Sequence, residues 1–383
     1  MGFFRSFSKA FFDELGAIKS STYLFGLLTW IPLLVYVLII LIFHQGLLRE
    51  MPIAVVDNDR SELSRRVSFM LDASSSLHVS HKTQTLLEAS SLLRQSKVYG
   101  IIVIPPHFER NIYLKSQPKI EVMLNSQYIL IGKSLNAAIN TTLQTLAAQI
   151  DVVKNLAHAE RFESAISSAI PIGLQVTPFF NTSQSYFPFL VSAIIPAIWQ
   201  VFIVIAAIAS IGMVFKRKEE EKLFEDGNIT ATLLGKSFPY TVAFLLQGVL
   251  FLLYMYVYLP FGFEGSFAVT IFAMLLSVIA YQGIGLFLFV VGFDYARALS
   301  LGAVYTAPAF AFLGITFPKS DMPSFAQFWN DMLPIAHYMK IQIAQANYGA
   351  SVIDMLPILL SIALFFLVWP LVIFRFKKRL ERV

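Results

Sequence analysis

The chain has 383 residues, of which 56% are hydrophobic and only 14% are charged. Soluble domains carry roughly a quarter charged residues, so this composition and several apolar runs of about 18 or more residues exclude an ordinary soluble protein and indicate an integral membrane protein. The net charge of +5 does not indicate a nucleic acid partner, because the basic residues are not gathered on one element. The absence of cysteine excludes disulfides and thiolate metal sites.

Residues 2–20 have the pattern of an amphipathic helix, which we expect to lie along the membrane surface, although an ordinary solvated helix would show a similar pattern. Its predicted apolar face consists of Phe4, Phe7, Phe11, Leu15 and Ile18, with Ser6, Lys9 and Asp13 opposite. The apolar run that follows predicts a first transmembrane helix over 21–43, long enough to cross about 30 Å of hydrocarbon. We interpret it as an uncleaved anchor.

Residues 44–186 contain no run long enough to cross a membrane, and short apolar runs alternate there with helical patterns. Strands are predicted at 53–56, 77–80, 99–104 and 119–124, and helices at 61–71, 84–95 and 107–114. This alternation predicts a small α/β domain, followed from Lys133 by one long helix. Asp59 and Glu62 have the spacing of a capping box at the start of the first of these helices.

The remaining residues, 187–383, contain five further apolar runs. They predict transmembrane helices at 187–215, 237–259, 267–291, 299–317 and 353–374, with a charged helical loop at 216–236 and a polar, amphipathic segment at 318–348. The short segments on one side hold 14 lysines and arginines, against 2 on the other. The positive-inside rule therefore predicts that both termini are cytoplasmic and that residues 44–186 lie outside.

No motif for nucleotide binding or catalysis is complete. Gly132-Lys133-Ser134 and Gly235-Lys236-Ser237 end like a phosphate-binding loop, but Gln127 and Thr230 stand where the first glycine of that motif is required. The predicted spans are nearly free of ionisable residues, which disfavours an ion-coupled carrier. The notable polar residues within them are Gln200, Gln247 and Gln282, which form either interhelical hydrogen bonds or a substrate path.

Three segments resemble a known family. They are IAVVDNDRSELSRRV at 53–67, LLGKSFPY at 233–240 and FLGITFPKSDMPSFAQFWNDMLPIAHYM at 312–339. In this order they are similar to permease subunits of ABC-2 type exporters, particularly bacterial inner-membrane permeases with a large periplasmic domain between the first two spans. The residues that match the family signature are Gly235, Lys236, Pro239, Tyr240, Phe317, Pro318, Met322, Pro323 and Pro334.

The resemblance implies a polytopic α-helical fold of the type V exporter kind, with six transmembrane helices, an N-terminal interfacial helix and a periplasmic α/β domain with a long stalk helix over 44–186. Two such subunits would pair, as a homodimer or a heterodimer, in the bacterial inner membrane. The segment 318–348 would form short re-entrant helices that close the exit. A periplasmic adaptor is a further partner that the resemblance allows.

The resemblance also implies that each subunit docks a cytoplasmic ABC ATPase through a coupling helix near 217–226, so that ATP and Mg²⁺ are bound by that partner and this chain binds no cofactor and catalyses nothing. Leu223 and Phe224 would be an apolar knob entering the ATPase. The charged contacts around that knob would come from Arg217, Lys218, Glu219, Glu220, Glu221, Lys222 and Glu225. The exported substrate would be amphipathic or hydrophobic. The alternative function is a membrane-anchored periplasmic scaffold or mechanical transmitter that moves no solute.

Overall fold

The structure, a computed structural model, describes residues 2–44, 49–114, 116, 118–125, 129–156, 185, 187–223, 228–259, 261–315 and 317–381. The chain divides into two compact units. The helical unit comprises Met1–Gly46 and Pro178–Val383, and the sheet unit comprises Leu47–Thr177. Each unit has a hydrophobic core of its own.

The helical unit begins with α1 (Gly2–Ser20), α2 (Thr22–Leu28) and α3 (Trp30–Phe43). The helices α2 and α3 together form the first apolar segment long enough to span a membrane. The break between them lies at Thr29, three residues before Pro32. Because Pro32 has no backbone N–H, it cannot bond to the carbonyl of Leu28 one turn earlier, and the helix opens there.

A different row of α1 packs within the helical unit from the apolar face predicted to meet the membrane. The buried residues are Ser6, Ala10, Glu14 and Ile18, and only Ile18 belongs to both sets, whereas Phe4 of the predicted apolar face is 79% exposed. This row of i, i+4 positions packs along a later helix, described below as α10. The row is mostly small or polar, so hydrophobic periodicity alone could not identify it.

The sheet unit contains a four-stranded sheet in the order β2-β1-β3-β4. Its elements are β1 (Met51–Asp57), α4 (Glu62–Asp72), β2 (Leu77–Thr83), α5 (Leu86–Arg94), β3 (Gly100–Ile104), α6 (Phe108–Tyr113), β4 (Glu121–Leu124) and α7 (Ile129–Leu156). The central strand β1 runs parallel to β2 and β3, and β4 runs antiparallel to β3. Each described strand and helix of the sheet unit lies at a position where the sequence pattern predicts a strand or a helix.

Both faces of β1 are covered, as a central parallel strand requires. Ile53 and Val55 pack in one cluster, to which α7 contributes Leu135 and Ile139. Ala54 and Val56 pack in a second cluster with Ala89 and Val98. The described part of α7 is thus a component of this core.

The predicted capping box is wrong in its residues. Ser61 is the N-cap of α4, since its side chain accepts a hydrogen bond from the backbone N–H of Ser64 at 3.1 Å. Asp59 instead accepts from the backbone N–H of Glu109 at 3.0 Å, at the start of α6. Burial raises the pKa of Asp59, but hydrogen bonds from Ser61 and from the backbone of His107, Phe108 and Glu109 outweigh it and hold the pKa below its usual value.

The helical unit continues with α8 (Ser192–Lys216), α9 (Glu220–Leu223), α10 (Ile229–Leu253), α11 (Phe267–Gly292), α12 (Tyr295–Thr306), α13 (Ala309–Phe312), α14 (Ser324–Asp331), α15 (Pro334–Tyr348), α16 (Val352–Leu364) and α17 (Val368–Leu380). A π-helical turn, Phe187–Val191, precedes α8, and another, Tyr254–Tyr258, extends α10. Short 3-10 turns lie at Lys319–Asp321 and Phe365–Leu367.

Within the described residues, five helical segments are long and apolar enough to cross a membrane: Thr22–Phe43, Phe187–Lys216, Ile229–Tyr258, Phe267–Gly292 and Val352–Arg379. The predicted span at 299–317 is not one of them. It is divided into α12 and the four-residue α13, with Pro308 between them. A proline in the helix interior removes a hydrogen bond and clashes with the preceding turn, which accounts for the interruption.

Candidate functional site

The segment 216–236, predicted as the coupling helix, overlaps three helices in the structure. Lys216 ends α8, the described part of α9 is Glu220–Leu223, and residues from Ile229 onward belong to α10. Lys218 turns the chain with a positive φ of 58°. Backbone bonds from Lys218 to Phe215 and from Glu219 to Val214 close this turn in the manner of a Schellman motif.

The described part of this segment includes the backbone of Arg217, Lys218, Glu219, Glu220, Glu221, Lys222 and Leu223. The side chains of Lys222 and Leu223, and all of Phe224 and Glu225, lie outside the described residues. The docking role predicted for this segment therefore stays a prediction. The segment is nonetheless anchored at its start by the capped end of α8.

Four aromatic rings join that anchor to two other helices. Phe215 at the end of α8 lies 5.1 Å, centroid to centroid, from Phe289 of α11 and 6.1 Å from Phe376 of α17. Phe293, which follows α11, lies 5.7 Å from Phe215, and the guanidinium carbon of Arg379 lies 5.6 Å from the Phe293 ring. We call this region the basic end of the helical unit, because the last turns of α8 and α17 carry lysines and arginines there: Lys216, Lys377, Lys378 and Arg379.

A buried charged cluster connects α1 to α10. The carboxylate of Glu14 pairs with the ammonium group of Lys236 and accepts a hydrogen bond from the Tyr240 hydroxyl at 2.5 Å. Glu14 is 1% exposed, Lys236 6% and Tyr240 1%. Lys236 and Tyr240 are four residues apart on α10 and therefore share the face that meets α1. We call this cluster the α1–α10 clamp.

The clamp explains most of the predicted signature LLGKSFPY. Gly235 is required because a Cβ atom there would lie 2.5 Å from the Phe7 carbonyl oxygen, closer than packed atoms approach. Phe238 packs edge-on against Phe7 at 5.9 Å. Pro239 lies buried inside α10. Sequence reasoning missed Glu14, because a lysine at the start of an apolar run gives no sign of a carboxylate partner 222 positions away.

For the three glutamines the sequence predicts either interhelical hydrogen bonds or a substrate path, and Gln282 is fully engaged in interhelical hydrogen bonds. Its amide nitrogen donates to the Ser237 carbonyl at 3.1 Å, and its amide oxygen accepts from the Thr241 hydroxyl at 3.0 Å. This arrangement is the structural alternative that the sequence left open, and it ties α11 to α10.

The other two glutamines are only partly engaged or unengaged within the described residues. Gln247 donates to the Leu28 carbonyl at 2.8 Å, but its amide oxygen has no partner there. Gln200 is fully buried, and neither atom of its amide is paired within the described chain. A buried polar group without a partner costs about 1–3 kcal/mol. A role for these two residues in substrate contact stays a prediction.

At the opposite end of the helical unit, the signature residues lie where helices begin. Pro318 precedes the 3-10 turn, Pro323 is the N-cap of α14, and Pro334 is the first residue of α15. Proline suits these positions because the first N–H groups of a helix have no intrahelical partner. Met322 is buried, whereas Phe317 is 50% exposed.

Side-chain hydrogen bonds hold this segment to its neighbours. The Tyr281 hydroxyl accepts from the backbone N–H of Ile335 at 3.0 Å, which satisfies a donor at the start of α15. The amide of Asn330 donates to the Phe312 carbonyl at 2.6 Å, and the Tyr305 hydroxyl donates to the Met332 carbonyl at 2.6 Å. The short helices of 318–348 are therefore attached both to α11 and to the interrupted segment of α12 and α13.

Within the described residues, no group of three or more histidine, aspartate or glutamate side chains could hold a metal ion. A family model described as ABC-2 family transporter protein matches residues 23–375. No curated protein matches the sequence significantly.

Proposed function

Because the chain belongs to the ABC-2 family of transporter proteins, we propose that it is the transmembrane permease subunit of an ATP-binding cassette exporter, driven by a separate cytoplasmic ATPase. The observation that carries this proposal is the family match, which extends over almost the whole chain. The two phosphate-binding motifs in the sequence are incomplete, which supports the proposal. An ATP-driven exporter whose permease lacks a complete nucleotide-binding motif must take its energy from a partner that has one. In this proposal the partner binds ATP and Mg²⁺, and the chain itself binds no cofactor and is not an enzyme.

The basic end faces the cytoplasm of a bacterial cell in this proposal, so both termini are cytoplasmic and the sheet unit is periplasmic. The support is the excess of lysine and arginine in the short segments of that end. The segment after α8 is then available to the ATPase, with Leu223 and Phe224 as the apolar contact and the charged residues around them as its rim.

Force applied to this segment would reach the membrane helices by two routes. The Schellman turn and the aromatic cluster around Phe215 connect it backward to α8, α11 and α17. Forward along the chain, α10 begins at Ile229 and is bound to α1 by the clamp. A push on the segment would therefore displace several helices together and open the exit closed by 318–348.

The exported substrate in this proposal is amphipathic or hydrophobic, and the active unit is a dimer of two such subunits, identical or different. The support is the interior of the helical unit, where buried glutamines and tyrosines can form hydrogen bonds. The one buried ion pair in the described residues joins Lys236 to Glu14, so neither charge is available to a charged substrate. A periplasmic adaptor is an additional partner of this proposal.

The proposal is tested by Leu223→Asp, measured as co-purification of the ATPase with the tagged permease from native membranes and as export by the intact pair. We expect both to be lost, because a buried charge at the centre of an apolar contact is costly. Leu87→Asp is the matched control, since Leu87 is 85% exposed on the sheet unit and should change neither. Solute pumping by the purified chain alone, without nucleotide, would contradict the proposal.

The alternative function, a membrane-anchored periplasmic scaffold that moves no solute, is favoured by one observation: the sheet unit is a compact unit with a two-sided core of its own. Replacing residues 50–170 with a short flexible linker separates the two functions. Export that persists without the sheet unit contradicts the scaffold, whereas normal ATPase binding with complete loss of the cellular phenotype favours it.

A further inference from the structure

Two arginines from different helices lie against the last turn of α11. The Nη2 atom of Arg375, on α17, lies 3.5 Å from the carbonyl oxygen of Val290 and 3.4 Å from that of Val291. Arg297, on α12, reaches the next residue, because a Cβ atom at Gly292 would lie 3.3 Å from its Nη1 atom. The last carbonyl groups of a helix have no intrahelical partner and carry partial negative charge, so they favour guanidinium groups at this end.

A third arginine lies against the residue that follows. The guanidinium carbon of Arg379 is 5.6 Å from the centre of the Phe293 ring. Such a contact uses the flat face of the guanidinium group and leaves the N–H donors on its edge available to another partner. We call Arg297, Arg375 and Arg379 the arginine cluster.

The arginine cluster carries an excess of positive charge at the surface. All three of its side chains are exposed. One carboxylate lies beside them, that of Asp294, which accepts a hydrogen bond from the backbone N–H of Arg297 at 2.7 Å as the N-cap of α12. Within the described residues no ion pair includes any of the three arginines. The cluster therefore suits a partner that brings negative charge.

The cluster lies where membrane spans end. Three of the five spans in the described part of the chain finish at the basic end: Phe187–Lys216, Phe267–Gly292 and Val352–Arg379. The end of a span marks the boundary between the hydrocarbon and the headgroups of the bilayer. The arginine cluster is therefore at the depth of the phosphate groups of one leaflet.

An exposed apolar stripe runs along α16 and α17 to this boundary. Leu364, Leu367, Leu371 and Phe374 follow one another at intervals of three or four residues, and each is more than half exposed. The next residue of the same series is Lys378, which is also exposed. The stripe thus changes from apolar to basic beside the arginine cluster, in the order in which a phospholipid presents its acyl chain and its headgroup.

We propose that the arginine cluster binds the phosphate group of an anionic phospholipid, with an acyl chain of that lipid along the stripe. Arginine binds phosphate oxygens through paired N–H donors, and basic residues beside a span attract anionic headgroups. A zwitterionic lipid has the same phosphate but adds an ammonium group, which the cluster repels. A free phosphate ion would leave the stripe uncovered.

The leaflet that provides the lipid depends on the topology given under the proposed function. The binding itself requires neither the ATPase nor export, so the purified chain is enough to test it. Failure of the lipid experiment would leave the proposed transport function intact, and failure of the transport experiment would leave the lipid site intact.

Native mass spectrometry of the purified full chain in a neutral detergent measures this binding, with dioleoyl phosphatidylglycerol and dioleoyl phosphatidylcholine as the probes. We expect saturable binding of phosphatidylglycerol, with an affinity about tenfold higher than that of phosphatidylcholine. Glycerophosphoglycerol, the same headgroup without acyl chains, should not displace the lipid at equal concentration. Equal affinity for the two lipids, or displacement by the free headgroup as effective as by the lipid, would overturn the proposal.

The double variant Arg297→Gln with Arg375→Gln should weaken binding of phosphatidylglycerol at least about tenfold and leave that of phosphatidylcholine unchanged, because each arginine near a headgroup contributes several-fold. The matched control is Arg94→Gln with Arg110→Gln, which removes the same charge from exposed positions of the sheet unit. An equal loss in the control, or no loss in the first pair, would overturn the proposal.

A variant on the stripe tests the site without disturbing the arginines that contact α11. Lys378→Glu reverses the charge of an exposed residue where the stripe meets the cluster, and it should weaken binding of phosphatidylglycerol about fivefold or more. Unchanged binding in Lys378→Glu would contradict the placement of the lipid along this stripe and would overturn the proposal.

Discussion

The side-chain amide of Gln247 donates a hydrogen bond of 2.8 Å to the backbone carbonyl of Leu28, the carbonyl that Pro32 leaves without a partner in its own helix. The same arrangement occurs a second time. Gln342 donates to the Ser192 carbonyl at 3.2 Å, and Pro196 stands four residues after Ser192. In a membrane interior no bulk water is present to satisfy such a carbonyl, and in these two cases a glutamine from a neighbouring helix supplies the missing donor.

Gln247→Leu should therefore lower the free energy of unfolding by about 1 kcal/mol, the usual size of an interhelical hydrogen bond in a membrane protein. The cost should shrink in a Pro32→Ala background, because the restored N–H at position 32 can bond to Leu28 within the helix. Denaturant unfolding of the four proteins of this double-mutant cycle measures the coupling. Equal cost in both backgrounds would show that the proline and the glutamine are unrelated.

Gln200→Leu is the matched control for that cycle. It makes the same chemical change at a buried glutamine whose amide has no partner in the described chain. Removing an unpaired polar group from an apolar environment costs no hydrogen bond. We expect unchanged or slightly increased resistance to denaturant, and a loss as large as that of Gln247→Leu would mean that Gln200 has a partner.

Gly235→Ala should destabilise the protein by about 1–3 kcal/mol, because the added methyl group meets the Phe7 carbonyl and pushes α1 away from α10. Gly16→Ala is the matched control. A Cβ atom at Gly16 meets nothing within 4 Å, so alanine should stabilise α1 by about 1 kcal/mol through helix propensity. In detergent, the unfolding temperature should fall for Gly235→Ala and rise for Gly16→Ala. Equal shifts of the two variants would contradict the close approach of α1 and α10.

Local patterns account for the parts of the fold that the sequence predicts well. The strand predicted at 53–56 is β1 (Met51–Asp57), and the helix predicted at 107–114 is α6 (Phe108–Tyr113). In each case the apolar pattern and the proline or polar residues that end it lie within a few residues of each other. A short stretch of sequence is therefore enough to predict the element.

The clamp could not be predicted in this way, because Glu14 and Lys236 are 222 positions apart. The sequence pattern places Lys236 in the charged loop at 216–236, because a charge beside an apolar run resembles a helix boundary. The structure instead continues α10 through it, because Glu14 and Tyr240 supply the missing partners. The helix predicted at 299–317 is interrupted for a related reason: hydropathy reflects the apolar residues and not the break at Pro308.

Acid should weaken the sheet unit through Asp59. Its pKa is lower in the folded chain than in the unfolded chain, so its contribution to stability is complete above about pH 4, the unfolded value, and is lost as pH falls through the folded value. The unfolding temperature at pH 7 should be lower for Asp59→Ala than for the wild type, and this difference should shrink toward pH 3. Glu121→Gln, an exposed strand position, is the control. A difference independent of pH would mean that Asp59 acts through packing and not through its charge.

Breaking the clamp from one side should be more harmful than removing it altogether. Glu14→Leu leaves the Lys236 ammonium buried without its carboxylate, which costs about 3–5 kcal/mol, whereas the double variant Glu14→Leu with Lys236→Met replaces the pair with apolar groups and should recover most of that loss. Asp13→Asn, an exposed neighbour on α1, controls for a simple loss of negative charge and should change little. Thermal unfolding of the purified variants reports the order of stability. If the double variant were no more stable than Glu14→Leu, the pair would not be a buried, isolated unit. If the double variant regained stability while export stayed absent, the clamp would act in transport as well as in folding.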